Sequence, residues 1–209
     1  SVILTVTNDQ SPTCIVTSAA QTFAACPPAN DDCANAVPLT VGVTVTDFPT
    51  VGTTIGGTTT TGLGTFSCQT NRNSDVWYSV VVPASGLLTI ETNTVAGTLM
   101  TDSVISIFSG VCGALTEIGC SDDEGNGNFS MKALTGLTPG DTLYIGVWKW
   151  GTSPAGEFNI SAYDATLANA SFDDKNFTYY PNPVTDVLNL AYSKNITSVS
   201  VFNVVGQEV

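Results

Sequence analysis

The chain has 209 residues, 11% of them charged and 43% hydrophobic, with 31 threonines and 19 glycines; strong helix formers and charged outer faces are too scarce for amphipathic helices, so the composition favours strands and turns. Its formal charge of −13, from 18 acidic and 5 basic side chains, excludes a nucleic-acid binder that works by neutralising phosphates and disfavours adsorption to an anionic membrane face. Histidine is absent, which removes His-based triads, zinc sites and proton shuttles, and the longest apolar runs fall far short of a membrane span.

In chain order, the alternating runs Val2–Thr7 and Cys14–Phe23 read as strands joined by the turn-rich Asn8-Asp9-Gln10-Ser11-Pro12. Two strands bury too little surface to stand alone. Residues 1–28 are therefore expected to be the end of an upstream immunoglobulin-like or fibronectin-like module with its linker, and the chain a piece of a longer protein. Pro27 and Pro28 stiffen the joint. Residues 29–165 form the main body, expected to be an antiparallel β-sandwich. Its strands are predicted at Val41–Asp47, Asp75–Val82, Gly86–Thr92, Asp102–Phe108, Ser130–Leu134, Thr142–Trp148 and Gly156–Tyr163. Turn signals fall at Pro83–Gly86, Ser109-Gly110, Asp122–Asn128, Pro139–Asp141 and Ser153–Gly156. The Thr/Gly tract Val51–Thr65 has no apolar periodicity and reads as a loop or weak edge strand. Residues 166–175 form an acidic linker, and in 176–209 a Pro-Asn-Pro turn precedes alternating runs that suit a small second sandwich.

The six cysteines, Cys14, Cys26, Cys33, Cys68, Cys112 and Cys120, include no Cys-x-x-Cys pair. Together with the acidity and the Thr/Ser/Gly richness they point to disulfides in an oxidising compartment; six free buried thiols would suit the cytosol instead. The expected pairing is the sequence-local one, Cys14–Cys26, Cys33–Cys68 and Cys112–Cys120.

Two resemblances carry the reading further. The Asp75-Val76-Trp77-Tyr78 strand, the Asp102-Ser103-Val104-Ile105-Ser106-Ile107-Phe108-Ser109-Gly110 strand and the Cys120–Gly127 loop resemble the pre-peptidase C-terminal domain family, from Asn30 to about Asp164. These are β-sandwich modules of large secreted bacterial proteins, distantly similar in shape to the jelly-roll CUB type. The resemblance implies secretion, with collagen or polysaccharide binding in some members, and no catalysis. The second set is Tyr180-Pro181-Asn182-Pro183, then Val187-Leu188-Asn189-Leu190, then Val201–Val209 with Gly206. It resembles the type A C-terminal sorting domain of type IX secretion cargo in Bacteroidetes. That resemblance implies recognition by the type IX translocon and its outer-membrane shuttle protein, then cleavage by a sortase-like peptidase and attachment to anionic lipopolysaccharide.

The leading metal candidate is the loop Ser121–Asn128. Adjacent acids repel one another unless solvated or bound to a cation, and Ca²⁺ takes the hard oxygens that an acidic, Gly-rich loop supplies. Asp122, Asp123 and Asn126 are its expected ligands, with a solvated turn as the other reading. The resemblance adds Asp102, converging from the start of a strand, and Asp31 and Asp32, placed like the linker acids of collagen-binding relatives. Trp77 is expected in the core. Trp148 and Trp150 fall one strand alternation apart: exposed, they make a platform for sugar rings or proline-rich protein; buried, they are core. Ser103 and Thr142 lie in Asp-Ser/Thr-aliphatic triplets that match the O-glycosylation pattern of Bacteroidetes.

No catalytic residue is expected. A serine nucleophile has no base here, and the acids cluster in hydrophilic turns. The chain thus reads as the non-catalytic C-terminal region of a secreted or cell-surface adhesin-like protein. Its sandwich would bind an extracellular polysaccharide or protein, no nucleic acid, and its tail would be the export signal. The alternative is the accessory tail of a secreted hydrolase whose catalytic domain lies upstream.

Overall fold

The computed structural model describes residues 6–8, 11–16, 25–64, 66–70, 72–167, 177–192, 196, 199–201, 203, 207 and 208, with side chains from residue 25 onward. The chain divides into two compact units, residues 1–168 and 169–209. In the first, β1 (Val6–Asn8) and β2 (Ser11–Val16) form an antiparallel hairpin. The remainder is a sandwich of two five-stranded sheets. The first sheet runs β10 (Met131–Leu134), β7 (Leu88–Thr94), β12 (Glu157–Tyr163) and β4 (Val41–Gly42), with β5 (Thr50–Thr53) also paired to β12. The second runs β3 (Val37–Pro38), β6 (Val76–Val81), β11 (Thr142–Lys149), β8 (Ser103–Val111) and β9 (Ala114–Ser121). Pairing is antiparallel except for β3 with β6 and β4 with β12. The all-β sandwich expected from composition and turn spacing is the fold.

Alternation sends one face of each sheet inward. Leu88 and Ile90 of β7 and Phe158, Ile160 and Ala162 of β12 meet Val76, Tyr78 and Val80 of β6, Ile105 and Ile107 of β8, and Leu143, Ile145 and Val147 of β11. The second sheet is covered on its other face too. Residues 103–108 of β8 are buried without a break, as are Val76, Trp77 and Tyr78. That outer face carries Trp77, Phe108 and Trp148, and Phe66 closes over it, 5.1 Å from the Trp148 ring and 6.1 Å from that of Phe108. Phe66 belongs to the segment between β5 and β6, whose described residues have no regular structure and lie across the sheet as a third layer. Polar contacts pin it down. Asp75, fully buried, accepts hydrogen bonds from Thr60 N (2.8 Å) and Trp77 Nε1 (2.8 Å) and pairs with Arg72 Nε at 3.2 Å. The Arg72 guanidinium sits 5.0 Å over the Phe66 ring, and Thr58 N and Oγ1 donate to Asp31. Strands buried on both faces need no alternation of buried and exposed positions, which is why burial runs unbroken over residues 76–78 of β6 and 103–108 of β8.

The structure corrects several expectations. The strand expected over Val41–Asp47 ends at Gly42, because Asp47 Oδ2 accepts from Val43 N (2.9 Å) and Thr44 N (3.0 Å) and turns the chain. The turn expected at Ser109-Gly110 lies inside β8; the hairpin reverses at Cys112-Gly113, with Gly113 at φ 94° where a side chain would be strained. Strand β9 was not expected, and it overturns two disulfides. The bridges are Cys33–Cys112, 5.7 Å between Cα atoms, and Cys68–Cys120, 5.5 Å. Cys112 lies in the tip of the β8–β9 hairpin and Cys120 near the end of its return strand, roughly 20 Å along an extended chain. A disulfide spans only about 6 Å between Cα atoms, so Cys112–Cys120 cannot form, and Cys33 and Cys68 take these partners instead. Cys26 is disulfide-bonded; the Cys14 half of the expected Cys14–Cys26 bridge lies outside the described side chains.

In the second unit, β13 (Phe177–Tyr180) pairs antiparallel with β14 (Asn189–Tyr192), and the Phe177 ring packs edge-on to Tyr192 at 6.0 Å.

Candidate cation site and sorting segment

The β8–β9 register places Ile105 opposite Ser121, so Asp102, just before β8, and Asp122 and Asp123, just after β9, meet at the open end of one hairpin. A buried hydroxyl network fixes this end. Ser103 Oγ lies 2.7 Å from Thr92 Oγ1, Ser130 N is shared between both hydroxyls, and the single proton of Ser130 Oγ faces the carbonyls of Ser103, Ser121 and Asp122, all within hydrogen-bond distance. A bridge pairs Asp102 with Asn128, closing the acidic loop onto the strand. One carboxylate oxygen from each of Asp102, Asp122 and Asp123 lies within 4.8 Å of the other two.

Burial sets the electrostatics. Desolvation first, then the neighbouring charges of Asp123 and Asp122, push the Asp102 carboxyl up to about 6, against a hydrogen bond with Asn128 that works to lower it. Asp122 is also raised, chiefly by burial, although Gln69 Nε2 donates to its Oδ2 at 3.1 Å. Asp123 is exposed. The donor set is oxygen only, which suits a hard cation rather than a soft or imidazole-seeking one.

The other expected ligands fall elsewhere. Asn126 is exposed, and its carbonyl accepts from Phe129 N at 3.3 Å; the amide beside Asp102 is that of Asn128. Glu124 turns back to accept from Ser121 Oγ and Asp122 N. Asp31 is committed to Thr58, and Asp32 stands at the start of a short 3-10 turn, Cys33–Asn35, without capping it through its side chain. Sequence reasoning missed Asn128 and Gln69. Asn128 was inside the loop already singled out, whereas Gln69 reaches the site through the Cys68–Cys120 bridge beside it, for which sequence offered no signal.

Trp77 is core as expected, with no exposure. The Trp148–Trp150 platform is overturned: Trp148 is buried under Phe66 at 1% exposure while Trp150, just past the end of β11, is 39% exposed. Ser103 is fully buried within the hydroxyl network, so it is closed to a glycosyltransferase; Thr142 is exposed at the start of β11. On the outer face of the first sheet, a groove of about 260 Å³ is lined by Val45, Thr46, Pro49, Asn93, Asn159 and Ser161. Phe48 stands exposed in the same loop, held at φ 51°.

In the second unit, Tyr180-Pro181-Asn182-Pro183 follows directly from β13, and Asn189 Nδ2 donates to Tyr180 O at 3.2 Å. Asn203 and Gln207 bond to each other through backbone and side chain, Asn203 N to Gln207 O at 2.9 Å and Gln207 N to Asn203 Oδ1 at 3.0 Å. Gly206 lies outside the described residues. Tyr179, Tyr180, Val187 and Val199 are each more than half exposed.

Comparison with known proteins places both units. Residues 29–160 match the model of a family described as galactose-binding-domain-like and associated with type IX secretion. Residues 178–209 match the secretion system C-terminal sorting domain. Among solved structures, the chain is similar to the pre-peptidase C-terminal domain of a collagenase from Bacillus anthracis, at 14% identity and a TM-score of 0.39 over 61% of this chain and 93% of that one. No curated protein matches it.

Proposed function

The chain belongs to the galactose-binding-domain-like family over residues 29–160, and on that premise we propose that it is the non-catalytic C-terminal region of a large adhesin-like surface protein. The sorting domain marks it for export by the type IX secretion system, to the cell surface or the medium. The observation that carries the proposal is the succession of the two: a module of a secretion-associated family, then the sorting domain. In this reading the translocon and its outer-membrane shuttle take up the tail in a Bacteroidetes cell. A sortase-like peptidase then cuts it and joins the protein to anionic lipopolysaccharide.

The sandwich is the interacting part. The groove lined by Thr46, Asn93 and Asn159 has polar side chains on its walls, and Phe48 stands exposed between the lining residues Thr46 and Pro49, a combination that supports a polysaccharide ligand over an apolar one. Thr142 is the remaining O-glycosylation acceptor.

The test has two arms. A reporter fused to the sorting domain is expected at the surface of a Bacteroidetes host, and changing Tyr180-Pro181-Asn182-Pro183 and Gly206 to alanine is expected to hold it in the periplasm. Deleting the gene is expected to reduce attachment of cells to polysaccharide-coated surfaces. Unchanged attachment with loss of a secreted hydrolytic activity overturns the adhesin reading in favour of a hydrolase tail.

A further inference from the structure

We propose that Asp102, Asp122 and Asp123 form a Ca²⁺ site that locks the open end of the β8–β9 hairpin. The inference is independent of the export and adhesion reading. Its first support is geometric. Two oxygens held by one Ca²⁺ at about 2.4 Å can be no more than about 4.8 Å apart. The three carboxylates already meet that limit, each offering an oxygen within 4.8 Å of the other two.

The second support is an unmet demand. Asp102 is only 9% exposed, and its Oδ1 is buried with no hydrogen-bond partner. Asp122 Oδ1 is buried and unpartnered in the same way. A carboxylate oxygen taken out of water without a donor is costly, and a buried charge is ordinarily paired or bound to metal. No base does this work: among the described residues the one ion pair is Arg72–Asp75, and the Lys149 ammonium is bonded to Gly151 O. A divalent cation among the three would remove that cost.

The choice of ion follows from the donors. They are all oxygen, so a hard ion is selected. Mg²⁺ keeps most of its water and requires a tighter octahedron, whereas Ca²⁺ accepts irregular sets of carboxylates, amides, carbonyls and water. Bound here, Ca²⁺ would join the residue before β8 to the two after β9. Through Gln69 and Asp122 it would also hold the covering segment next to the Cys68–Cys120 bridge.

The experiment titrates the whole chain with Ca²⁺ by calorimetry at constant ionic strength. Tb³⁺ luminescence excited through tryptophan gives a second readout, since the backbone of Trp150 adjoins Asp102, its N donating to Asp102 O at 3.3 Å. One saturable site is expected, with a dissociation constant of about 10⁻⁴–10⁻³ M as in other extracellular modules. Mg²⁺ is expected not to compete at equal concentration. Asp102→Asn and Asp123→Asn should each weaken binding by about tenfold or more, while Asp141→Asn, an exposed acid in a distant turn, should not. Asp123 is exposed, so its variant tests the site even if Asp102→Asn fails to fold. Absence of saturable binding up to about 10 mM, equal binding of Mg²⁺, or unchanged affinity in Asp123→Asn overturns the site.

Discussion

At Asp75 a single buried carboxylate ties the covering segment to the sheet, holding the Arg72 guanidinium and Thr60 N of that segment and the Trp77 indole of β6. Removing one partner of a buried ion pair strands the other, at about 3–5 kcal/mol. Asp75→Ala is therefore expected to lower stability to urea by that amount and to shift Trp77 fluorescence as water reaches the indole. Asp75→Asn keeps hydrogen-bonding capacity and should cost less. Asp164 gives a prediction with a definite sign. Burial raises its carboxyl, but donors from Ser85 Oγ, Thr166 Oγ1 and Thr166 N outweigh burial and bring it below the ordinary 3.8. A folded-state value below the unfolded one adds stability that is present above the unfolded value and lost as pH falls through the folded one. Asp164→Asn should accordingly flatten the acid limb of stability below about pH 4, read as urea midpoints across that range. Single residues were unevenly legible in the sequence. An acidic triplet in a Gly-rich loop announces itself, so Asp122 and Asp123 were found. Asp75 sat in a strand motif, and nothing local shows that its partners lie across a layer.

Among the elements, β6, β7, β8, β11 and β12 were visible because long apolar or alternating runs leave strands no other place to go. Strand β9 was not, because the apolar residues of Ala114–Ser121 fall at 114, 115, 118 and 120 without a regular alternation, and only pairing with β8 makes it a strand. Missing it misplaced the hairpin tip and with it the disulfides, whose partners depend on how the segment between β5 and β6 crosses the second sheet. The same crossing buries Trp148, which sequence alternation had left undecided. Non-reducing peptide mapping is expected to recover Cys33 linked to Cys112 and Cys68 linked to Cys120. Replacing Cys68 and Cys120 by alanine removes a 52-residue loop closure, worth about 4 kcal/mol in the chain-entropy model. The melting temperature should fall accordingly, and Trp148 should become open to quenching by acrylamide.

For the molecule as a whole, charge is the largest unbalanced term. A net −13 over 209 residues repels itself in the folded state. Raising NaCl from about 10 mM to 1 M shortens the screening length from about 30 Å to about 3 Å. The melting temperature is expected to rise with salt, and a melting temperature that falls or stays constant would show that paired and solvated acids already absorb the repulsion.

The two bridges of the β8–β9 hairpin also decide how the sandwich answers to pulling. A protein displayed on a cell surface is loaded through its backbone when the cell is dragged by flow. Tension entering near Asn30 reaches Cys33 and passes straight through sulfur to Cys112, so the chain between them, a sequence separation of 79, never joins the stretched path. That withholds roughly 270 Å of extended chain. The strands β3 to β8, which include much of the core, lie inside this shielded stretch. Under load the oxidised module can give up only its last strands, and reduction of the bridges turns a short tether into an extensible one.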